Sequence, residues 1–135
     1  MIESDLEQEA REMLADCQIA AFVATADAER SRDFYENTLG LKLVSDEEYA
    51  IVFDANGITL RIQKVRDVEP RLYTTLGWHV NDIDATVEEL SGRGVTFEIY
   101  DGFGQTAQGI MSFPGGSRVA WFKDPDGNLL SLDQY

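Results

Sequence analysis

Apolar and polar positions recur in the same order in two stretches of the chain. Residues 22–44 read FVATADAERSRDFYENTLGLKLV, and residues 78–99 read WHVNDIDATVEELSGRGVTFEI. Each stretch predicts an apolar strand, an aspartate at a turn, a short amphipathic helix, a glycine exit and a second strand. Asp27 and Asp82 are 55 residues apart (82 − 27), so the repeated unit is a whole supersecondary element. Such a duplication builds two matching half-surfaces, and we expect a ligand site between them.

Turn residues divide the rest of each half into further short strands. The predicted strands lie at residues 19–25, 41–44, 49–53 and 58–63 in the first half and at 73–80, 95–100, 118–122 and 129–132 in the second. Hairpin turns are predicted at residues 55–57 and 124–127, and the glycine-rich residues 101–117 predict a long loop. The fold class is therefore α+β. One βαβββ module covers about residues 19–65, and a second covers about residues 73–135.

A further amphipathic helix is predicted ahead of the repeat, in an N-terminal segment of residues 1–18. Its apolar residues follow one another at spacings of three or four, as in one stripe of a helix: Ile2, Leu6, Ala10, Met13 and Cys17. A single short helix is marginal alone, so we expect it to dock on its own domain or on a second subunit. Cys17 is the only cysteine of the chain, and we expect it to pack there as a small hydrophobic residue.

Composition limits the class of protein and of partner. A chain of 135 residues, 44% of them hydrophobic, fits one domain with a hydrophobic core. The formal charge of −14, from 25 acidic and 11 basic residues, argues against nucleic acid and anionic membrane as partners, because both require clustered Lys and Arg. No apolar run approaches membrane-spanning length and no export signal opens the sequence, so we expect a cytoplasmic protein.

Three short motifs mark the two halves and the C-terminal turn. They are the string from Asp27 through Phe34-Tyr35 to Leu39-Gly40, the string from Val80 to Asp84, and the turn Asp124-Pro125-Asp126-Gly127-Asn128. Over roughly residues 19–134 they make the chain resemble the vicinal oxygen chelate superfamily, which includes glyoxalases, extradiol dioxygenases, fosfomycin resistance enzymes and bleomycin resistance proteins. The resemblance implies two modules that curl a mixed sheet around a cup. In metal-dependent members, His and Glu side chains of the first and last strands hold a metal ion in that cup.

This chain lacks suitable residues at the coordinating positions. The resemblance places these positions at Ala20, Arg61, Thr75 and Ser131. Alanine has no donor atom, a guanidinium has no lone pair to give, and the hydroxyls of Thr and Ser are poor ligands alone. We therefore expect no metal and no other cofactor. A displaced metal site, built from His79 and a carboxylate such as Asp133, is the less favoured alternative.

Without a metal, the inward positions of the cup become a ligand pocket. The expected ligand-binding residues are Phe22, Arg61, Thr75, Gly77, His79, Trp121 and Ser131. Aromatic walls with a few polar groups suit a planar, partly polar small molecule; Gly77 would leave room for it and Arg61 would bind an anionic group. The resemblance is nearest to the metal-free bleomycin resistance proteins, which sequester a cationic aromatic drug between two subunits. The N-terminal amphipathic helix and the pairing of modules in the family lead us to expect a homodimer; a closed monomer is the alternative, since one chain carries both modules.

Three functions stay open from the sequence. The favoured one is metal-independent binding of a small molecule in the cup. The second is a lyase, isomerase or oxygenase with a non-standard site, in which His79 would exchange protons with the help of Asp133 or Glu98; no residue is assigned a catalytic role. The third is a structural module whose cup is filled by its own side chains, with Phe22 and Trp121 in the core.

Overall fold

The structure is a computed structural model, which describes residues 13–135 of the chain. Its strands are β1 (Ala20–Thr25), β2 (Lys42–Asp46), β3 (Ala50–Ala55), β4 (Ile58–Lys64), β5 (Thr74–His79), β6 (Met111–Ser112), β7 (Arg118–Lys123) and β8 (Leu129–Gln134). The helices are α1 (Ala28–Asp33), which continues into a π-helical segment at Phe34–Thr38, and α2 (Ile83–Gly92). No helix within residues 13–135 is long and apolar enough to cross a membrane.

The strands form two four-stranded sheets with the same topology. Their strand orders are β1-β4-β3-β2 and β5-β8-β7-β6. In each sheet the first strand pairs in parallel with the last, and the other pairs are antiparallel. A parallel neighbour requires a long crossover, which in each half contains the helix, whereas the antiparallel neighbours need only short turns. The predicted α+β architecture of two tandem βαβββ modules is confirmed.

An aspartate begins each helix in the way that the repeat predicts. The side chain of Asp27 accepts a hydrogen bond from the backbone N–H of Arg30 at 3.2 Å, and that of Asp82 accepts one from Ala85 at 3.1 Å. These bonds satisfy backbone donors that have no partner inside the helix. Each helix therefore begins where its strand ends, which sets how the helix lies on its own sheet.

The core lies on one face of both sheets. One buried cluster contains alternate residues of β4 and β8, namely Leu60, Ile62, Leu130 and Leu132. The residues between them point to the opposite face. Tyr35 lies in the same cluster and is fully buried. The face that is turned away from the helices is left to form the cup.

The C-terminal turn joins the second module to the first. Asp126 accepts hydrogen bonds from the hydroxyl of Thr25 at 2.6 Å and from the backbone N–H of Ala26 at 2.8 Å. The side-chain amide of Asn128 donates to the carbonyl oxygen of Ala24 at 2.8 Å. Residues 124–128 and the end of β1 are thus fixed to one another, and we call these contacts the inter-module clamp.

A buried carboxylate lies at the centre of the inter-module clamp. The Tyr35 hydroxyl donates to Asp124 at 2.7 Å, and Asn128 donates to the same carboxylate from its side chain and its backbone. Burial raises the pKa of Asp124, and the hydrogen bonds from Tyr35 and Asn128 oppose that rise. Burial also raises the pKa of Tyr35, to which the charge of Asp124 adds. Tyr35 therefore stays protonated, and its O–H group donates a hydrogen bond to Asp124.

Two expectations about individual elements are wrong, and a third falls largely outside the structure. Residues 95–100 form no strand but only an isolated bridge between Phe97 and Phe122. Cys17 is exposed rather than packed. Most of the helix predicted for residues 2–17 lies outside the described residues; within them, the chain makes a single 3₁₀ turn at Leu14–Asp16 and leaves Met13 exposed.

Candidate functional site

Strand register places Trp121 on the cup face of the second sheet. Trp121 on β7 pairs with Ser131 on β8, which in turn pairs with Gly77 on β5. Directly paired residues share one face of a sheet. The next row towards the C-terminal turn is formed in the same way by Lys123, Leu129 and Thr74.

A cavity of about 460 Å³ opens over the row that contains Lys123 and Leu129. It is lined by Arg71, Leu72, Tyr73, Thr74, Tyr100, Phe103, Trp121, Lys123 and Leu129. Among the described residues, two hollows beside α2 contain Glu88 and no aromatic side chain. A smaller hollow of about 190 Å³ lies at the other side of the second sheet, and its lining includes Trp78, His79 and Phe122. We call the cavity over β5, β7 and β8 the aromatic pocket.

Three rings build one wall of the aromatic pocket. The ring centres of Tyr100 and Phe103 are 5.3 Å apart, and those of Tyr100 and Trp121 are 5.8 Å apart. Phe103 and Trp121 are 5.9 Å apart with their planes at 74°. The rings therefore meet largely edge to face, which is a favourable arrangement for aromatic pairs. Phe103 is still 44% exposed, so the cluster leaves an aromatic surface open to a ligand.

Gln105 holds the start of the long loop so that Phe103 reaches Trp121. Its side-chain oxygen accepts a hydrogen bond from the backbone N–H of Tyr100 at 2.7 Å. Its side-chain nitrogen donates to the carbonyl oxygens of Glu98 at 2.9 Å and Gly109 at 2.8 Å. One amide thus ties together both sides of the turn that carries Phe103.

Two cationic side chains lie at the rim of the aromatic pocket. Lys123 forms an ion pair with Glu98 at 3.1 Å, and Arg71 forms a looser one with Glu69 at 3.4 Å. The hydrogen bond that Lys123 donates to Glu98 raises the pKa of Lys123. Partial burial and then the charge of Glu98 raise the pKa of Tyr100. At neutral pH, Lys123 is therefore charged and Tyr100 is a neutral phenol.

The structure distributes the residues predicted to bind a ligand over both sheets. Among them, Trp121 alone lines the aromatic pocket. Phe22 and Arg61 are register partners on the first sheet, where Phe22 is 51% exposed and Arg61 contacts Glu47 at 3.5 Å. The hydroxyl of Thr75 donates to the carbonyl oxygen of Leu129 at 3.1 Å.

Gly77 and Ser131 lie in direct contact. A Cβ atom on Gly77 would lie 2.6 Å from the Ser131 hydroxyl oxygen. The space expected to admit a ligand at Gly77 is therefore occupied by that hydroxyl. Ser131 is itself buried, since its neighbours on β5 and β7 cover it.

The residues at the positions that the resemblance assigns to a metal do not fit one. Ala20 has no donor atom, Arg61 is cationic and already paired with Glu47, and the Thr75 hydroxyl is engaged with the backbone. Within residues 13–135, no three His, Cys, Asp or Glu side chains come together as a ligand set. This donor set therefore gives no basis for a metal-dependent step.

His79 meets Asp133 at the far end of β5. Its Nδ1 atom hydrogen-bonds to the carboxylate of Asp133, and its ring centre is 4.9 Å from that of Tyr135. The imidazole side chain remains 71% exposed. A histidine oriented in this way by a carboxylate can exchange protons through its other nitrogen.

Most residues of the aromatic pocket were not predicted from the sequence. Lys123 could have been found, because it lies two residues from Trp121 on the same strand and therefore on the same face. Tyr100 and Phe103 belong to no regular pattern, although long loops often carry function. Arg71 and Tyr73 lie at the end of the linker, where the sequence does not show which way the chain turns.

Comparison with protein families identifies the fold and its relatives. The model of the glyoxalase/bleomycin resistance protein/dioxygenase superfamily matches residues 18–132. The chain belongs to this superfamily. The match covers both modules, including the C-terminal turn, and it confirms the resemblance that the three motifs indicate.

Solved structures of the superfamily share this architecture. A fosfomycin resistance protein from Listeria monocytogenes is 16% identical with a TM-score of 0.71, over 88% of this chain and 93% of that one. A lactoylglutathione lyase from Agrobacterium tumefaciens is 14% identical with a TM-score of 0.67, over 87% and 92%. A superfamily member from Sphaerobacter thermophilus is 26% identical with a TM-score of 0.67, over 88% and 98%. At these identities the first two likenesses describe the fold alone.

Proposed function

We propose that this superfamily member binds a planar aromatic small molecule, without a metal ion, in the aromatic pocket of its second module. The observation that carries the proposal is the wall formed by Tyr100, Phe103 and Trp121. These rings present aromatic surface to a cavity of about 460 Å³, which lies within the usual size range of small-molecule sites. The residues at the four metal positions support the metal-independent part of the proposal.

The third possibility, a cup filled by its own side chains, is less well supported. The aromatic pocket is bordered by exposed hydrophobic residues, with Leu72 99% and Tyr73 63% exposed. A filled cup would cover such side chains, because burying apolar surface is what stabilises a core. Because Leu72 and Tyr73 stay exposed beside the three clustered rings, a bound ligand that covers them is favoured over a filled cup.

The neutral probe naphthalene-2-carboxamide tests this function by titration calorimetry. We expect saturable binding to the wild-type protein and a loss of about tenfold in affinity for Trp121→Ala, since one lost aromatic contact with its buried area is worth about 1.4 kcal/mol. Phe22→Ala is the matched control, because Phe22 is a half-exposed aromatic residue on the cup face of the other sheet.

The two variants separate the possible sites. If Phe22→Ala weakens binding and Trp121→Ala does not, the ligand lies on the first sheet, beside Phe22 and Arg61. Equal affinities for all three proteins would refute the aromatic pocket as the site. Circular dichroism of each variant confirms that the fold is intact before binding is compared.

A second candidate function, proton-transfer catalysis, is favoured by the contact between His79 and Asp133. His79 is the only histidine of the chain, so nitrogen NMR reports on it without assignment. We expect its proton to reside mainly on Nδ1 in the wild-type protein and to redistribute in Asp133→Ala but not in Asp67→Ala, which removes an exposed linker carboxylate. An unchanged tautomer in Asp133→Ala would remove the basis for this candidate.

We also propose that the protein forms a homodimer. Exposed apolar residues on the first module, among them Val44 and Tyr49, offer a surface for a second copy. Sedimentation velocity over a range of concentrations tests it, and a monomer at every concentration would refute it.

A further inference from the structure

The charged residues that line the aromatic pocket are basic, whereas the protein as a whole is acidic. The chain carries 25 acidic and 11 basic residues. Yet among the described residues 13–135, the nine that line this pocket include Arg71 and Lys123 and no Asp or Glu. The acidic partners of these cations, Glu69 and Glu98, stand outside the lining. The charged groups that face the pocket are therefore both positive, and each is paired with a carboxylate outside the lining.

We propose that the ligand of the aromatic pocket is an aromatic carboxylate, whose ring contacts Trp121 and whose anionic group is bound by Lys123 and Arg71. The inference rests on the proposed function, since it requires that the pocket bind an aromatic molecule. It adds that this molecule is anionic and that Lys123 and Arg71 select it.

Strand geometry supports this division of roles. Trp121 and Lys123 are two residues apart on β7, so their side chains leave the same face about 6.6 Å apart along the strand, at ~3.3 Å per residue. A ring that lies on Trp121 and points along β7 therefore carries its substituent towards the ammonium group. Leu129, the register partner of Lys123, lies beside it on β8 and adds apolar surface to the same pocket.

Both cations keep donors for a ligand. An ammonium group has three N–H donors, and Glu98 occupies one of those of Lys123 at 3.1 Å. A guanidinium has five, and the contact of Arg71 with Glu69 at 3.4 Å uses one. Both side chains are about half exposed in the structure, so a carboxylate reaches them without first breaking a buried ion pair.

A cationic ligand is the main alternative, because the net charge of −14 attracts cations to the protein as a whole. Close contacts decide selectivity within a site, however, while exposed charges further than about 8 Å away are screened at physiological ionic strength. An ammonium group beside Lys123 and Arg71 would meet like charges directly. The rim thus selects against the very ligands that the acidic surface attracts.

Three probes with one ring system test the inference by titration calorimetry. They are naphthalene-2-carboxylate, naphthalene-2-carboxamide and 2-naphthylmethylammonium, which differ in the charge of the substituent. We expect the carboxylate to bind about tenfold more tightly than the amide, as for a hydrogen bond to a charged group. The ammonium probe is expected to bind most weakly.

The variant Lys123→Met removes the charge and keeps much of the aliphatic length. We expect it to remove the roughly tenfold preference, so that the carboxylate and the amide bind the variant with similar affinity. Lys42→Met is the matched control, because Lys42 is an exposed lysine on β2 of the other module; it should change neither affinity. Arg71→Met serves as the second variant and should lower carboxylate affinity in the same direction.

The outcomes distinguish this inference from the function on which it rests. If carboxylate and amide bind equally, and both depend on Trp121, the inference is overturned while the aromatic pocket stands. Tightest binding of the ammonium probe overturns it in favour of a cationic ligand. A carboxylate preference that persists in both Lys123→Met and Arg71→Met also overturns it. If no probe binds, the proposed function and the inference fail together.

Discussion

Replacing Tyr35 by Phe removes a single atom from the inter-module clamp. The lost hydroxyl donates to Asp124 at 2.7 Å, and both side chains are buried, Tyr35 fully and Asp124 to within 5% exposure. Asp124 keeps its hydrogen bonds from Asn128 and from the backbone N–H of Asp126. The variant therefore leaves the turn in place but gives a buried carboxylate one donor fewer.

The expected cost follows from the charge of the acceptor. A hydrogen bond to a charged group contributes about 1.5–3 kcal/mol, and a buried acceptor that loses its donor incurs a penalty of similar size. For 135 residues the entropy of unfolding is about 0.28 kcal/mol per kelvin. A loss of about 2 kcal/mol therefore lowers the melting temperature by roughly 7 °C.

The loss should depend on pH. Burial raises the pKa of Asp124 above its ordinary value, and the Tyr35 hydrogen bond opposes that rise, so its removal raises the pKa further. A carboxyl group with a raised folded-state pKa favours folding below its unfolded pKa and loses that contribution as the pH rises through the folded value. The deficit of Tyr35→Phe is thus expected to be larger at about pH 7 than near the ordinary carboxyl pKa of about 4.

Chemical denaturation of Tyr35→Phe and of Tyr49→Phe, at both pH values, tests the reasoning. Tyr49 lies on the same module with 74% of its surface exposed, so its hydroxyl should matter little. If both variants lose the same free energy of unfolding, the buried hydrogen bond does not contribute as argued. A deficit that grows in acid would refute the assigned direction of the Asp124 pKa.

Two further outcomes are expected from the structure. Gly77→Ala should destabilise the wild-type protein, because its Cβ would lie 2.6 Å from the Ser131 hydroxyl, but should be neutral or stabilising in a Ser131→Ala background. A double-mutant cycle with a coupling below about 0.5 kcal/mol would contradict this contact. The melting temperature should rise between low salt and physiological ionic strength, because salt screens the mutual repulsion within a chain of charge −14; a flat profile would show that the charges are already compensated locally.

Local signals in the sequence predicted the framework well. Asp27 and Asp82 precede their helices and cap them as expected, because capping depends on residues only three positions apart. The turn at residues 55–57 forms the hairpin between β3 and β4, with Asn56 and Gly57 at positive φ. Such features need no knowledge of distant parts of the chain.

The aromatic pocket depends on contacts that leave no such signal. Phe103 reaches Trp121 because Gln105 closes the intervening turn, and no periodicity records that closure. The same glutamine engages backbone groups at the end of residues 95–100, which form no regular strand. Its side chain takes the backbone N–H of Tyr100 and the carbonyl of Glu98, so those groups are not available to pair with another strand.

The inter-module clamp separates what makes this chain recognisable from what it binds. The hydrogen bonds of this clamp join its residues Asp124, Asp126 and Asn128 to one another, to the buried Tyr35 and to the end of β1 in the first module. None of these residues lines the aromatic pocket. The motif by which the sequence is most easily recognised, residues 124–128, therefore has a structural role in the inter-module clamp. Substitutions in the pocket wall can therefore change the ligand while the sequence remains recognisable as a member of the superfamily. A homologue that lost the residues of the inter-module clamp would be hard to recognise even if it bound the same ligand.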